Sequence, residues 1–256
     1  MPPPRPYILS ELPWSEVRSR RFEVAVLPWG ATEAHNLHLP YGTDIIESDW
    51  IAAESARLAY ERSARVVVLP TIPFGVNTGQ VDIPLTINMN PSTQRLVLAD
   101  IVDSLHRQGL RKLVIINSHG GNDFKPILRE LKLSFPGMFI ALINWYQIID
   151  QKKHFSAADD HAGEMETSIM LQIAADLVLP LSQAGDGSAR QFKIAGLRER
   201  WAWTPRDWTK VSADTGVGNP KAATKEKGAA YLKELTEKIA GFIVDLSAAS
   251  IDDLYA

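Results

Sequence analysis

Four short apolar runs, rich in β-branched residues, punctuate the chain, and a stretch with helical spacing follows each. The runs are "FEVAVLPWG" (22–30), "ARVVVLPTIPFG" (64–75), "KLVIINSHGGN" (112–122) and "MFIALINW" (138–145). A strand that is apolar throughout must be covered on both faces, and a parallel sheet with crossover helices does this. The intervening segments fit such helices. One runs from Asp44 to Glu61, with Ile46, Trp50, Ala53 and Leu58 near one face. Asn90-Pro91 offers a cap and a first-turn proline to a second, striped by Val97, Ile101, Val102 and Leu105 and closed by Gly109. Others are expected over about 123–134, over "GEMETSIMLQIAADL", and over about 222–247. The expectation is an α/β fold, a three-layer α/β/α sandwich with a mostly parallel central sheet. At 256 residues the chain suits one domain spanning 1–256, with an irregular excursion rich in Gly, Arg, Trp and Asp around 182–219.

Composition narrows the function classes. A net charge of −3 gives no electrostatic case for nucleic acid or an anionic membrane surface. With no cysteine, disulfides, thiolate metal sites and cysteine nucleophiles are excluded. No apolar run approaches the roughly 20 residues that a membrane helix needs. The opening "MPPPRPYILSELPW" lacks the basic and apolar regions of a signal peptide, so the expected location is the cytoplasm.

Chemistry-bearing side chains gather at three places. Glu33, His35, His38 and Asp44 follow the first apolar run, and His119 follows the third. "DDHAGEMET" supplies Asp160, His161, Glu164 and Glu166 at a helix start. Four of the six histidines fall in these segments. Sites in open α/β sheets form beyond the carboxyl ends of the strands, so groups on two central parallel strands converge. Histidine and carboxylate donors without cysteine suit Zn²⁺, Mn²⁺ or Fe²⁺, and a set this large could hold two ions bridged by one aspartate. Each cluster also has a plain structural explanation. Asp44 could cap its helix, His119 could be held by backbone hydrogen bonds, and Glu164 and Glu166 could answer the helix dipole. The coincidence of all three at strand ends favours the metal site.

The motifs together resemble the creatininase (creatinine amidohydrolase) family of metal-dependent hydrolases. "LPWGATEAHNLHLPYGTD" is similar to its first metal motif, "VIINSHGGN" to its second and "HAGEMETSIML" to its third. "GVGNPKAATKEKG" (216–228) is similar to its glycine- and lysine-bearing tail. The resemblance implies two divalent metal ions per chain, Zn²⁺ first and Mn²⁺ or Fe²⁺ next. Glu33, Asp44 and His119 would hold one ion, and His35, Asp44 and a further glutamate the other. In the family's namesake that glutamate stands two positions after the second-motif histidine, where this chain has Gly121. Members carrying "HGGN" and "HAGE" take it from another segment, which here points to Glu164.

The implied activity is hydrolysis of a C–N bond (amide, lactam or formamide) in a small, often cyclic substrate. His161 would be the general acid–base and Glu166 would orient it or a ligand. Gly120, Gly121 and Asn122 would bind a substrate oxygen through backbone N–H groups, and Trp145 matches an active-site tryptophan of the family. A second family tryptophan, just before the third-motif histidine, has no counterpart in "FSAADDHAG", which leaves creatinine unsupported as substrate. Ring opening of a keto-cyclitol or keto-sugar is the alternative hydrolase reading. A non-catalytic metal-binding maturation or scaffold protein is the alternative of another class, and the presence of His161 and Glu166 counts against it. A dinucleotide-binding fold lacks its Gly-x-Gly-x-x-Gly after the first strand. The resemblance also implies a homo-oligomer, in the family often a hexamer. Trp201, Trp203 and Trp208, among Arg198, Arg200 and Arg206, suit a subunit interface better than a pocket wall.

Overall fold

The computed structural model describes residues 3–156 and 160–256. Its centre is a four-stranded, wholly parallel sheet in the order β2-β1-β3-β4. The strands are β1 (Val24–Trp29), β2 (Val66–Val68), β3 (Lys112–Asn117) and β4 (Phe139–Asn144). Helix α1 (Thr43–Glu61) joins β1 to β2, α2 (Pro91–Arg107) joins β2 to β3, and α3 (Phe124–Ser134) joins β3 to β4. After β4 come α4 (Glu164–Ile173) and α5 (Lys225–Ala248).

Side chains alternate across each strand, and the two faces feed two cores. Val24, Val26, Val66, Val68, Val114 and Ile116 pack with α1, α4 and α5 around Ile51, Ile169, Tyr231 and Leu235. Ala25, Leu27, Trp29, Val67, Leu113 and Ile115 pack with α2 and α3 around Leu98, Val102, Phe124 and Ile127. Both faces are therefore dry, which is why these strands read as continuous apolar runs. Pro28 lies in a central strand, yet the β1–β2 pairing stops at Val26, so its missing N–H leaves no ladder bond unmade on that edge.

The chain leaves β1 for β2 on one side and returns to β3 on the other. The order therefore reverses between β1 and β3, and a crevice opens beyond their carboxyl ends. Residues 182–219 form an excursion of short helical turns, including Ala195–Arg198 and Trp208–Val211, and one isolated bridge between Ala189 and Ser212. It is stapled to the loop after β1, where Asn36 N donates to Thr215 Oγ1 at 2.9 Å and Gly185 N donates to Asn36 Oδ1 at 2.8 Å. Among the described residues no helix is long and apolar enough to cross a membrane.

Candidate metal centre

Glu33 follows β1 by four residues, and His119 follows β3 by two. Asp44 sits in the first turn of α1, but Gly42 holds the cap position and no side chain caps the helix. The plain explanation for Asp44 thus fails. Its carboxylate is turned into the crevice, because the start of α1 is pressed against the exit of β1. A Cβ on Gly30 would lie 2.7 Å from the Ile45 nitrogen, so only glycine permits this approach.

Five groups converge here, all at least nine-tenths buried: Glu33, His35, Asp44, His119 and His161. His119 Nδ1 is 2.8 Å from Glu33 Oε1 and 3.1 Å from Asp44 Oδ2. His35 Nε2 is 3.1 Å from Asp44 Oδ1 and 4.0 Å from Glu33 Oε1. His161 Nδ1 is 4.0 Å from Glu33 Oε1, and its ring stands 4.3 Å from that of His35.

Each imidazole is pinned at its other nitrogen by a backbone carbonyl. His35 Nδ1 donates to Glu33 O at 3.1 Å, His119 Nε2 to Val76 O at 3.0 Å, and His161 Nε2 to Ala34 O at 2.9 Å. A neutral ring held this way directs its lone pair at the carboxylates, and backbone carbonyls orient metal-ligating histidines in the same manner. Lone pairs facing carboxylate oxygens repel unless a positive charge lies between them. The fit to a cation is further supported by Asp44 Oδ2, a buried oxygen with no hydrogen bond of acceptable direction despite the approach of His119. Among the described residues, one ligand atom from each of Glu33, Asp44 and His119 lies within 4.8 Å of the others. The same holds for His35, Asp44 and Glu166, and for Glu33, His35 and His161.

The proton balance follows from this geometry. Burial opposes charge on His35, but Asp44 overrides it and lifts the pKa to about 10. Burial likewise opposes charge on His119, and Glu33 and Asp44 hold its pKa well above the ordinary histidine value. Burial pushes the two acids toward the neutral form, yet His119 and His161 bring Glu33 below its usual range, and His35 does the same to Asp44. At His161 burial and the neighbouring His35 both act against the proton, so its pKa is lowered.

The structure departs from the expected ligand set at the third motif. Glu164 stands outside every one of these donor groups. Its carboxylate accepts from Ser156 N at 2.8 Å and pairs with Lys227 Nζ at 2.5 Å. Glu166 joins His35 and Asp44 instead. The reason is helical phase: two positions correspond to about 200° around the axis, so the two carboxylates leave on opposite sides. Trp145 also departs from expectation. It is fully buried in the α1/α4/α5 core, and its indole N–H donates to Ser118 Oγ at 2.7 Å. The Asn122 N–H, expected to bind a substrate oxygen, donates to His119 O at 3.2 Å, and its side chain accepts from Gln94 Nε2 at 2.7 Å and donates to Asn117 Oδ1 at 2.9 Å. Gly120 and Gly121 do line the crevice. His38 bonds Thr167 Oγ1 at 2.9 Å and belongs to none of the donor groups. The segment 155–163 includes 157–159, which lie outside the described residues.

Above the cluster opens a cavity of about 960 Å³, with Glu33 and His119 on its wall beside Gln80, Arg95, Trp203 and Arg206. Trp208 lines it too, with its ring 4.8 Å from that of His161. The Arg206 guanidinium lies 4.6 Å from the Trp208 ring centroid and bonds Asp160 at 2.6 Å. Trp208 and Trp203 therefore both line the cavity, the less favoured of the two places the sequence suggested, while Trp203 is also 85% exposed and Trp201 77%. Gln80 had no distinguishing signal in the sequence. Its side-chain N–H donates to Glu33 Oε2, which leaves Oε1 to the histidines.

Known proteins resemble this chain in sequence and in fold. The family model described as creatinine amidohydrolase (Creatininase) matches residues 10–243. A creatinine amidohydrolase of Pseudomonas putida is 27% identical, covering 92% of this chain and 95% of its own. A mycofactocin precursor peptide peptidase of Mycolicibacterium smegmatis is 29% identical over 61% of this chain and 60% of its own. A solved structure from Bacteroides fragilis NCTC 9343, described as that of a creatinine amidohydrolase by similarity, superposes with TM-score 0.91 at 47% identity. The match covers 95% of this chain and 97% of that one.

Proposed function

The chain belongs to the creatininase family, and from that premise we propose that it is a metal-dependent hydrolase cleaving a C–N bond of a small, often cyclic amide, lactam or formamide. Two divalent ions, Zn²⁺ first and Mn²⁺ or Fe²⁺ next, would be held by Glu33, Asp44 and His119 and by His35, Asp44 and Glu166. When bound, such ions supply a nucleophile near neutral pH and polarise a carbonyl. The observation that carries the reading is the trio of imidazoles, each locked by a backbone carbonyl and each turning its other nitrogen toward buried carboxylates.

The chain's own groups do the rest. His161 has a lowered pKa, so it is unprotonated near neutral pH and can take a proton. Its Nδ1 faces the Glu33 oxygen on the cavity wall, and it delivers the proton to the departing nitrogen. Trp208 lies over His161 and shields that exchange from bulk water. The Gly120 and Gly121 N–H groups, on the cavity wall, hold the substrate oxygen. Gln80 fixes Glu33 so that one oxygen alone serves the cluster. The subunits assemble into a homo-oligomer.

A second reading draws on the cavity wall. Trp203 and Trp208 present faces suited to a sugar or cyclitol ring, which favours ring opening of a keto-cyclitol or keto-sugar. A panel of lactams, formamides and keto-cyclitols offered to the metal-loaded protein separates the two by which compound is consumed. His161→Ala is expected to lower turnover by about 10²-fold or more with metal content unchanged. Turnover near wild type in that variant would remove His161 from the mechanism.

A further inference from the structure

Beside the reaction cavity lies a second one of about 760 Å³, formed almost wholly by residues 189–217. The two share the wall Trp203–Arg206. Six basic side chains line it: Arg190, Lys193, Arg198, Arg200, Arg206 and Lys210. Among the described residues the acids on its wall are Asp160 and Asp207. Both acids are spent, Asp160 on Arg206 at 2.6 Å and Asp207 on Lys210 at 2.7 Å. Arg198 donates to the carbonyls of Phe192 and Lys193 at 3.2 Å, which shapes the loop, and among the described residues it is in no ion pair. Among the described residues, Arg190, Lys193 and Arg200 are in no ion pair. A chain of net charge −3 has thus concentrated positive charge in one concavity. Low-dielectric walls focus such a field on anions.

The position of the cavity gives it a use. Arg206 belongs to both cavities, lies over Trp208, and Trp208 lies against His161. A molecule whose reacting bond lies at the acid–imidazole cluster can therefore extend past Trp203 and Arg206 into the basic concavity. We propose that this concavity binds an anionic group, carboxylate or phosphate, carried by the substrate at a distance from the bond that is cleaved. The proposal rests on the hydrolase reading for the word substrate, but the binding of the anion does not depend on it.

The test uses the full-length, metal-loaded protein with inorganic phosphate and succinate as separate calorimetric probes. The variants are Arg190→Gln, Lys193→Gln and Arg200→Gln combined, and Glu33→Gln at the metal centre. The expected result is binding of at least one probe that weakens about tenfold in the triple variant, weakens with added salt, and persists in Glu33→Gln. Which probe binds separates phosphate from carboxylate. Binding unchanged in the triple variant, or lost in Glu33→Gln alone, overturns the proposal, the latter because the anion then sits on the metals. No binding of either probe overturns it as well, and so does a changed oligomeric mass in the triple variant, which would make this surface a subunit contact. Should the triple variant fold poorly, Arg200→Gln alone is expected to weaken binding roughly threefold by the same route. If no amide, lactam or keto-cyclitol is consumed while the triple variant still loses the anion, the hydrolase reading fails and the anion site stands.

Discussion

Glu164 and Glu166 share one helical turn and do different work. Glu164 is 1% exposed and anchors α4 through Lys227, while Glu166 faces His35 and Asp44. Glu166→Gln is therefore expected to lower metal content by about one ion per chain. Glu164→Gln is expected to keep the metal and lose about 1–3 kcal/mol of stability, because the buried carboxylate loses its charge-assisted bonds while Lys227, 31% exposed, regains water. Metal analysis and thermal melts on both variants check this, and a reversed pattern would return Glu164 to the ligand set. Proton competition belongs to the same scale. With the raised pKa values of His35 and His119, the metal-free cluster carries protons at neutral pH, and ions must displace them. Metal affinity is expected to climb with pH from about 7 toward 10 and then level, with protons released on binding and visible in calorimetry across buffers of different ionisation heat. The sign for the metal-free fold is the opposite. The His35–Asp44 contact stabilises it fully below about pH 6.5 and is lost as pH rises through about 10.

At the scale of elements, the loops after β2 and β3 lock together. Gly121 passes so close to its neighbours that a Cβ there would lie 2.3 Å from the Val76 carbonyl oxygen. That same oxygen accepts from His119 Nε2. Gly121→Ala is expected to destabilise by about 1–3 kcal/mol and to weaken metal binding, because the shift it forces turns the His119 ring. A melting temperature and metal affinity equal to wild type would show that the loop yields freely. These elements explain what the sequence could disclose. The four strands and five long helices were legible because burial on both sheet faces writes apolar runs and helical stripes. Glu33, Asp44 and His119 were legible because they stand just beyond strands or begin a helix, where α/β sheets gather their sites. Gln80 was not, and Trp208 and Arg206 stood out by composition without a fixed place, since they lie on irregular chain whose course is set by distant bonds such as those at Asn36. The choice between Glu164 and Glu166 required the rotational phase of a helix whose start no spacing rule fixes to one residue.

For the whole molecule, the parallel order with its reversal between β1 and β3 places the ends of two central strands side by side. Helix α1 then brings Asp44, and α4 with the turn before it brings Glu166 and His161, to the same crevice. The 182–219 excursion lies beside that crevice and supplies Trp203, Arg206 and Trp208 to its wall. On the proposed function, this convergence holds a pair of cations. Elemental analysis of the purified protein, reloaded with Zn²⁺ or Mn²⁺ after chelation and dialysed, tests it most directly. The expected content is about two ions per chain in the wild type and fewer than one in Asp44→Asn, whose carboxylate is shared by both donor groups. A wild-type protein that retains no stoichiometric metal, or an Asp44→Asn variant that still retains two, would contradict it.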